Sequence, residues 1–254
     1  MINYKLNKEH IYKFNSEGYL YCKSFFDTKI FSKIKKYIKE IENFKIVKKK
    51  WMKYYDPSLK NSKKVVLTRI ENFYDYHKEL KKILSNKVFK NEIKKLVGND
   101  VVLFKDKINF KYPGSKGFKP HQDATIWKDM YGIRSFITLA ISIDESTIEN
   151  GCLKFAKLKN KRLISRYWNE IPKKKEEKMK WEIIKQKPGD VVFFHDYSPH
   201  KSSDNLSNKK RRMVFLTYNE KKCGDFRKKH FQDKRRNFPP NNEREKGEKY
   251  IFKI

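Results

Sequence analysis

The sequence predicts an α+β fold, a helical first part followed by an antiparallel sandwich or barrel. Apolar residues recur at helical spacing before residue 98. Beyond it come short β-branched or aromatic runs divided by turn residues, and the 254-residue chain has no composition break that would split it into two domains. Aromatic residues make up 15% and apolar residues 38%, enough for a core at this length, which excludes whole-chain disorder. No apolar run approaches the roughly 18 residues of a bilayer span, and the start, MINYKLNKEHIYKF, carries no signal-peptide core, so a membrane protein is not expected. Three scattered cysteines, Cys22, Cys152 and Cys223, suit a reducing cytoplasm better than a disulfide framework.

The first element is an amphipathic helix over residues 28–43, opened by Asp27 as N-cap, with Ile30, Phe31, Ile34, Ile38 and Ile41 on one face. Helices follow over 77–84 and 89–97, the last closed by Gly98. Strands are expected over 101–110, 135–143, 181–185, 191–195 and 213–218, separated by turns such as Pro113-Gly114, Asn150-Gly151 and Pro188-Gly189-Asp190. From Glu220 the chain is polar and basic with Pro239-Pro240, and reads as an irregular tail packed over the body or partly disordered. The organisation is thus one domain over 1–254, with a mainly helical part to 98, a β core over 99–219 and a tail over 220–254.

Two strands are unusually polar. Period-2 alternation puts Lys105, Lys107, Asn109 and Lys111 on one face, and Phe104, Ile108 and Phe110 on the other. In the next strand Phe136, Thr138, Ala140 and Ser142 oppose Ile137, Leu139 and Ile141. This pattern fits a sheet with one wet face, or a barrel whose small polar lumen holds a charged ligand while helices cover its apolar outside.

The chemistry centres on Pro120-His121-Gln122-Asp123. On extended backbone residues i and i+2 project the same way, so His121 and Asp123 can meet one cation from one side. A third ligand on a neighbouring strand would complete the 2-His-1-carboxylate triad of non-heme Fe(II) oxygenases, which leaves metal positions open. Downstream, residues 189–202 read as a turn, an apolar strand and then histidine, with both His195 and His200 available as the third ligand. Arg211 or Arg212 follows, able to grip a dicarboxylate through paired N–H bonds; adjacent strand residues face opposite ways, so only one can enter the lumen.

These residues resemble the phytanoyl-CoA dioxygenase family of Fe(II)/2-oxoglutarate oxygenases. The resemblance runs from about Gly18 to the end. It rests on Lys105-Asp106-Lys107-Ile108-Asn109, Tyr112-Pro113-Gly114, the H-x-D, Ile143-Asp144 with Glu149-Asn150-Gly151-Cys152-Leu153, and the H-x-S-x-x-N-x-S-x-x-x-R string from His200 to Arg211. It implies a double-stranded β-helix core, jelly-roll or cupin-like, with the N-terminal helices packed on one sheet. It further implies iron on His121, Asp123 and His200, with Arg211 on the distal carboxylate of 2-oxoglutarate. Lys107 and Asn109 match cosubstrate-pocket positions or else face solvent; Ser202 either bonds the cosubstrate or caps a turn; Trp127 either walls the substrate pocket or belongs to the core. The implied activity consumes O2 and 2-oxoglutarate, releases succinate and CO2, and hydroxylates a C–H bond. Related halogenases replace the carboxylate by a small residue, so Asp123 favours hydroxylation over halogenation, leaving desaturation and ring closure open.

One departure bears on the substrate. Family members commonly continue the Asn150-Gly151 turn into Pro-Gly-Ser-His, whereas here Leu153-Lys154-Phe155-Ala156 runs on to Lys157-Leu158-Lys159-Asn160. The formal charge of +32 favours a small anionic substrate. Only ten of the 62 basic residues are arginine, and the lysines are spread from end to end without a nucleic-acid-binding signature. A basic nucleic-acid-binding protein on a β-barrel, or a metal protein without oxygenase activity, are the alternative readings.

Overall fold

A computed structural model describes residues 2–133, 135–157, 162–164 and 170–250. The N-terminal part contains α1 (Lys8–Glu17), β1 (Tyr19–Cys22), α2 (Thr28–Glu42), β2 (Met52–Pro57), β3 (Val65–Glu71), α3 (Lys78–Leu84) and α4 (Lys87–Val97). The expected caps hold: Asp27 accepts from the Ile30 N–H, and Gly98 closes α4 at φ +83°. Helices dominate this part as expected, but three of its segments are strands that join the main sheet.

The core follows with β4 (Val101–Lys111), β5 (Phe118–His121), α5 (Ala124–Tyr131), β6 (Phe136–Ser142), β7 (Leu153–Ala156), the short α6 (Lys173–Glu176), β8 (Trp181–Ile184), β9 (Val191–His195), β10 (His200–Ser202) and β11 (Arg211–Glu220). After them comes α7 (Arg227–Asn237), a correction to the irregular tail expected from the sequence. Its buried face is Arg227, His230, Phe231, Asp233 and Lys234, a set too polar for hydrophobic periodicity to reveal.

The strands form two antiparallel sheets. The larger has the order β1-β9-β6-β11-β4-β3-β2, the smaller β5-β10-β7-β8. Ile108, Phe110, Ile137, Leu139, Ile141, Val214 and Leu216 leave the larger sheet on its outer face and pack against Ile34, Ile38 and Ile41 of α2 and Phe89 and Ile93 of α4 in one buried cluster. The opposite face, carrying Lys105, Lys107, Asn109 and Thr138, looks toward the smaller sheet. The fold is a double-stranded β-helix with helices on one sheet, and of the two readings of the polar strands the lined lumen is the one observed. Among the described residues no helix is long and apolar enough to cross a membrane.

Candidate active site

The smaller sheet carries two histidines side by side. His121 ends β5 and His200 begins β10; the two are register partners with ring centroids 4.2 Å apart. β5 tolerates Pro120 because it is an edge strand. Asp123 lies just beyond, at the N-cap of α5, with Oδ1 3.6 Å from His121 Nε2. One ligand atom from each of His121, Asp123 and His200 lies within 4.8 Å of the other two.

Each imidazole is oriented by the backbone. His121 Nδ1 lies 2.7 Å from the Lys119 carbonyl and His200 Nδ1 lies 3.0 Å from the Ser198 carbonyl. A carbonyl only accepts, so Nδ1 carries the proton in both rings and Nε2 keeps a free lone pair. Burial, then repulsion from His121, pushes His200 down to about 4, which leaves it neutral at physiological pH. Burial opposes the charge on Asp123, yet His200, His121, Lys107 and Lys105 outweigh it and hold the carboxyl below its usual range. Two imidazoles with Nε2 free and one ionised carboxylate on one side of a pocket form a donor set suited to Fe(II), with positions left for other ligands.

The larger sheet supplies the facing wall. Lys105, Lys107 and Asn109 of β4, Thr138 of β6, and Arg211, Phe215 and Thr217 of β11 line one cavity with the His121, Asp123 and His200 group. Arg211 is 1% exposed, and its Nε has no hydrogen-bond partner. Its Nη1 reaches only Met213 Sδ, at 3.6 Å. Among the described residues no carboxylate pairs with it. Burial pushes the guanidinium down to about 10, still protonated at neutral pH. A buried, unpaired fork of N–H donors is the counterpart of a carboxylate.

The rivals point elsewhere. Arg212 leaves the other face of β11, holding Asp144 through two 2.8 Å bonds and Glu42 at 2.9 Å. His195 turns to Asp196, Nδ1 to Oδ1 at 2.5 Å, and to Ser135. Ser202, Lys107 and Asn109 all line the cavity. Trp127 lines it too while packing edge-on against Phe104 and Phe136, so it is both wall and core.

Several residues of the sequence pattern organise the site without lining it. The Gln122 side chain turns away from the pocket, donates to the Arg162 and Tyr197 carbonyls and accepts from the Ile164 N–H. Asn205 donates to the Lys111 and Lys209 carbonyls, tying together the loop that leads into Arg211. Asn150 closes its turn through Thr147 and Glu145. The departure after that turn is seen as β7 up to Lys157; Leu158, Lys159 and Asn160 lie outside the described residues. Sequence reasoning did not assign Lys105, Lys201, Thr217, Phe118 or Phe215 to the site. Lys105 was findable, since it shares the polar face with Lys107.

A sequence model for phytanoyl-CoA dioxygenase (PhyH) matches residues 14–213. The chain is 38% identical over 240 residues to a 2-aminoethylphosphonate dioxygenase of Uncultured bacterium HF130_AEPn_1, covering 94% of this chain and 91% of that protein. It is 32% identical over 239 residues to a methylphosphonate hydroxylase of Gimesia maris, covering 93% and 90%. Among solved structures, EctD from S. alaskensis with 2-oxoglutarate and 5-hydroxyectoine superposes with a TM-score of 0.70 at 17% identity, covering 87% of this chain and 78% of that one. At that identity the superposition speaks to the fold alone.

Proposed function

This chain belongs to the phytanoyl-CoA dioxygenase family, and from that premise we propose that it hydroxylates a short phosphonate. It is an Fe(II)- and 2-oxoglutarate-dependent dioxygenase that acts on a C–H bond of a small organic anion, releasing succinate and CO2. His121, Asp123 and His200 are the proposed iron ligands and Arg211 the partner of the distal carboxylate of 2-oxoglutarate, with Asn109 and Ser202 beside it; Lys107, expected from the family resemblance to line the cosubstrate pocket, stands beside Lys105 on the same strand face and is proposed to serve the substrate anion. The bound iron supplies the oxidation that couples decarboxylation of 2-oxoglutarate to insertion of oxygen into the C–H bond. The protein residues orient the cosubstrate, keep water out and balance charge. A carboxylate at position 123, where related halogenases carry a small residue, supports hydroxylation over halogenation.

The phosphonate reading rests chiefly on the charge left over in the cavity. Arg211 answers the distal carboxylate, Asp123 answers the cation, and Lys201 is paired with Glu176 at 2.6 Å. Lys105 and Lys107 remain, on one face of β4 two residues apart; among the described residues neither donates a hydrogen bond to a carboxylate, and the buried Glu71 that both feel is shared with Arg69 and Lys234. Around them lie Trp127 at 5.5 Å from the Lys105 Nζ, and Phe215 and Phe118 at 4.9 and 5.7 Å from that of Lys107. Two ammonium groups above an aromatic floor suit a compact tetrahedral dianion carrying a short alkyl chain. The relatives named for 2-aminoethylphosphonate and methylphosphonate point to the same class. In methylphosphonate the only C–H bonds are on the carbon next to phosphorus, so that carbon is the proposed target.

We also propose a cytoplasmic enzyme, supported by its free cysteines Cys22, Cys152 and Cys223, and a small-molecule rather than nucleic-acid partner, supported by the even spread of lysine. The test is succinate release from iron-loaded protein with 2-oxoglutarate and a panel of methylphosphonate, 2-aminoethylphosphonate and their carboxylate counterparts. The expected result is turnover stimulated by a phosphonate and abolished in Asp123→Ala. Stimulation by the carboxylates alone would overturn the phosphonate assignment, and full turnover in Asp123→Ala would overturn the iron site.

A further inference from the structure

Directly across the ladder from Arg211 stands a second buried basic side chain. Lys111 of β4 is the register partner of Arg211, and the two are 2% and 1% exposed. Like charges opposite one another weaken a sheet, so their pairing needs a cause. The Lys111 Nζ donates to Ser202 Oγ at 2.9 Å, to the Gly151 carbonyl at 3.3 Å and to the Ser203 carbonyl. Three acceptors match the three N–H bonds of an ammonium. The cradle is closely built: at Gly151, φ +78°, a Cβ would come within 2.9 Å of Lys111 Nζ and 2.2 Å of the Ser203 carbonyl.

The consequence falls on Ser202, whose side chain lines the cavity with Arg211. Its Oγ accepts from Lys111 and also from the Phe118 N–H at 3.3 Å. A hydroxyl oxygen has two lone pairs and one hydrogen, so with both lone pairs engaged the hydrogen is left to donate elsewhere. We infer that Lys111 is a positioning residue: through Ser202 it turns a hydroxyl hydrogen into the cavity, onto the carboxylate that Arg211 grips. This rests on the reading of that cavity as the 2-oxoglutarate site.

The protonation of Lys111 is coupled to the same event. Burial, then Arg211, pushes it down to about 6, against Asp204 and Cys152, which favour the charge. As a neutral amine, its prevailing form at neutral pH before an anion binds, it accepts the Ser202 hydrogen and draws it out of the cavity. An anion bound against Arg211 removes the repulsion and favours the ammonium, which sends that hydrogen back toward the anion.

The test is a double-mutant cycle on 2-oxoglutarate affinity, read by calorimetry on the Fe(II) protein without oxygen and alongside KM and kcat. Ser202→Ala and Lys111→Met are each expected to weaken binding about tenfold, the size of one hydrogen bond to a charged group. The double variant should also be weaker by about tenfold rather than about a hundredfold, because both changes remove one donor. KM for 2-oxoglutarate should rise while kcat at saturation holds. Should Lys111→Met not fold, Lys111→Gln closes the same cycle with a smaller first step. Multiplying effects, or unchanged affinity in both lysine variants, would overturn the inference while leaving the cosubstrate site intact. Wild-type protein that binds no 2-oxoglutarate would overturn both.

Discussion

Keeping a guanidinium buried without a carboxylate costs the folded chain desolvation energy that a bound anion returns. Arg211 therefore sets ligand affinity against stability in one side chain. Arg211→Met should raise the melting temperature of the protein without cosubstrate, by the equivalent of about 1–3 kcal/mol, as when buried ions give way to apolar groups. It should weaken 2-oxoglutarate binding by about thirtyfold or more, the loss of a buried charged partner worth about 2 kcal/mol at least. Thermal melts with and without 2-oxoglutarate measure both, and a melting temperature that falls would mean the arginine has a structural partner after all. Lys107 makes a second prediction. Burial, then Lys105, pushes its ammonium down to about 8 from 10.5. The charge that would hold an anionic substrate is present below about pH 8 and lost above it, so kcat/KM for the phosphonate should fall through that value, and the fall should vanish in Lys107→Met. Stability moves the other way. A depressed lysine penalises the fold while charged in both states, and the penalty lifts as pH rises from about 8 to about 10.5. Wild-type stability should therefore gain on that of Lys107→Met across this window in urea melts.

Among the elements, α7 matters most for what the sequence concealed. Arg227 at its start pairs with Asp106, which is fully buried, and reaches Asp75 and Asn72 at 3.2 Å. Asp106 also accepts from the Phe73 and Tyr74 N–H groups at 2.7 and 3.0 Å, so one carboxylate joins α7, β4 and the turn before α3. Arg227→Met should leave that carboxylate buried without its cation and cost about 3 kcal/mol, read as a lower urea midpoint. A change under about 0.5 kcal/mol, the size of an ordinary surface substitution, would show the link to be dispensable. At the far end of α7, Lys234 lies 3.6 Å from Glu71, both fully buried. This electrostatic docking explains why the helix was unreadable, since periodicity detects apolar stripes and α7 has a charged one. β10 was missed for a related reason: His200-Lys201-Ser202 is short and polar, held by pairing to β5 and β7 rather than by its own apolar side chains. By contrast α2 and α4 carry apolar faces with good caps, and β4, β6, β9 and β11 are rich in β-branched, aromatic and other apolar residues, so these were legible. The site was legible from motif spacing: the H-x-D named His121 with Asp123, although Asp123 sits past the strand end at the N-cap of α5 rather than on extended backbone, and alternation allowed one of Arg211 and Arg212 into the lumen while the count from His200 picked Arg211. Lys111 was visible as one of a polar row, but its link to Ser202 requires β4 and β10 to be seen together.

For the whole molecule, +32 is a field rather than a contact. Fifty-two lysines spread over the chain raise the local concentration of any small anion, and the cavity collects that field because Lys105, Lys107 and Arg211 line it and, among the described residues, none of the three donates a hydrogen bond to a carboxylate. Screening at physiological salt acts within about 8 Å, so the surface contribution should weaken with added salt while the buried lysines keep theirs. For a phosphonate substrate kcat/KM is therefore expected to fall several-fold between about 20 and 300 mM salt with kcat unchanged, since salt acts on capture of the anion and not on the chemical step. A nucleic-acid-binding role predicts a different curve, affinity collapsing by about a thousandfold or more over a similar range as phosphate counterions are displaced. Measuring kcat/KM against salt, with a neutral substrate analogue or competitive ligand as control, separates these cases. If the anion and the neutral compound respond alike, the surface lysines play no part in capture and the selectivity for an anion resides wholly in Lys105 and Lys107.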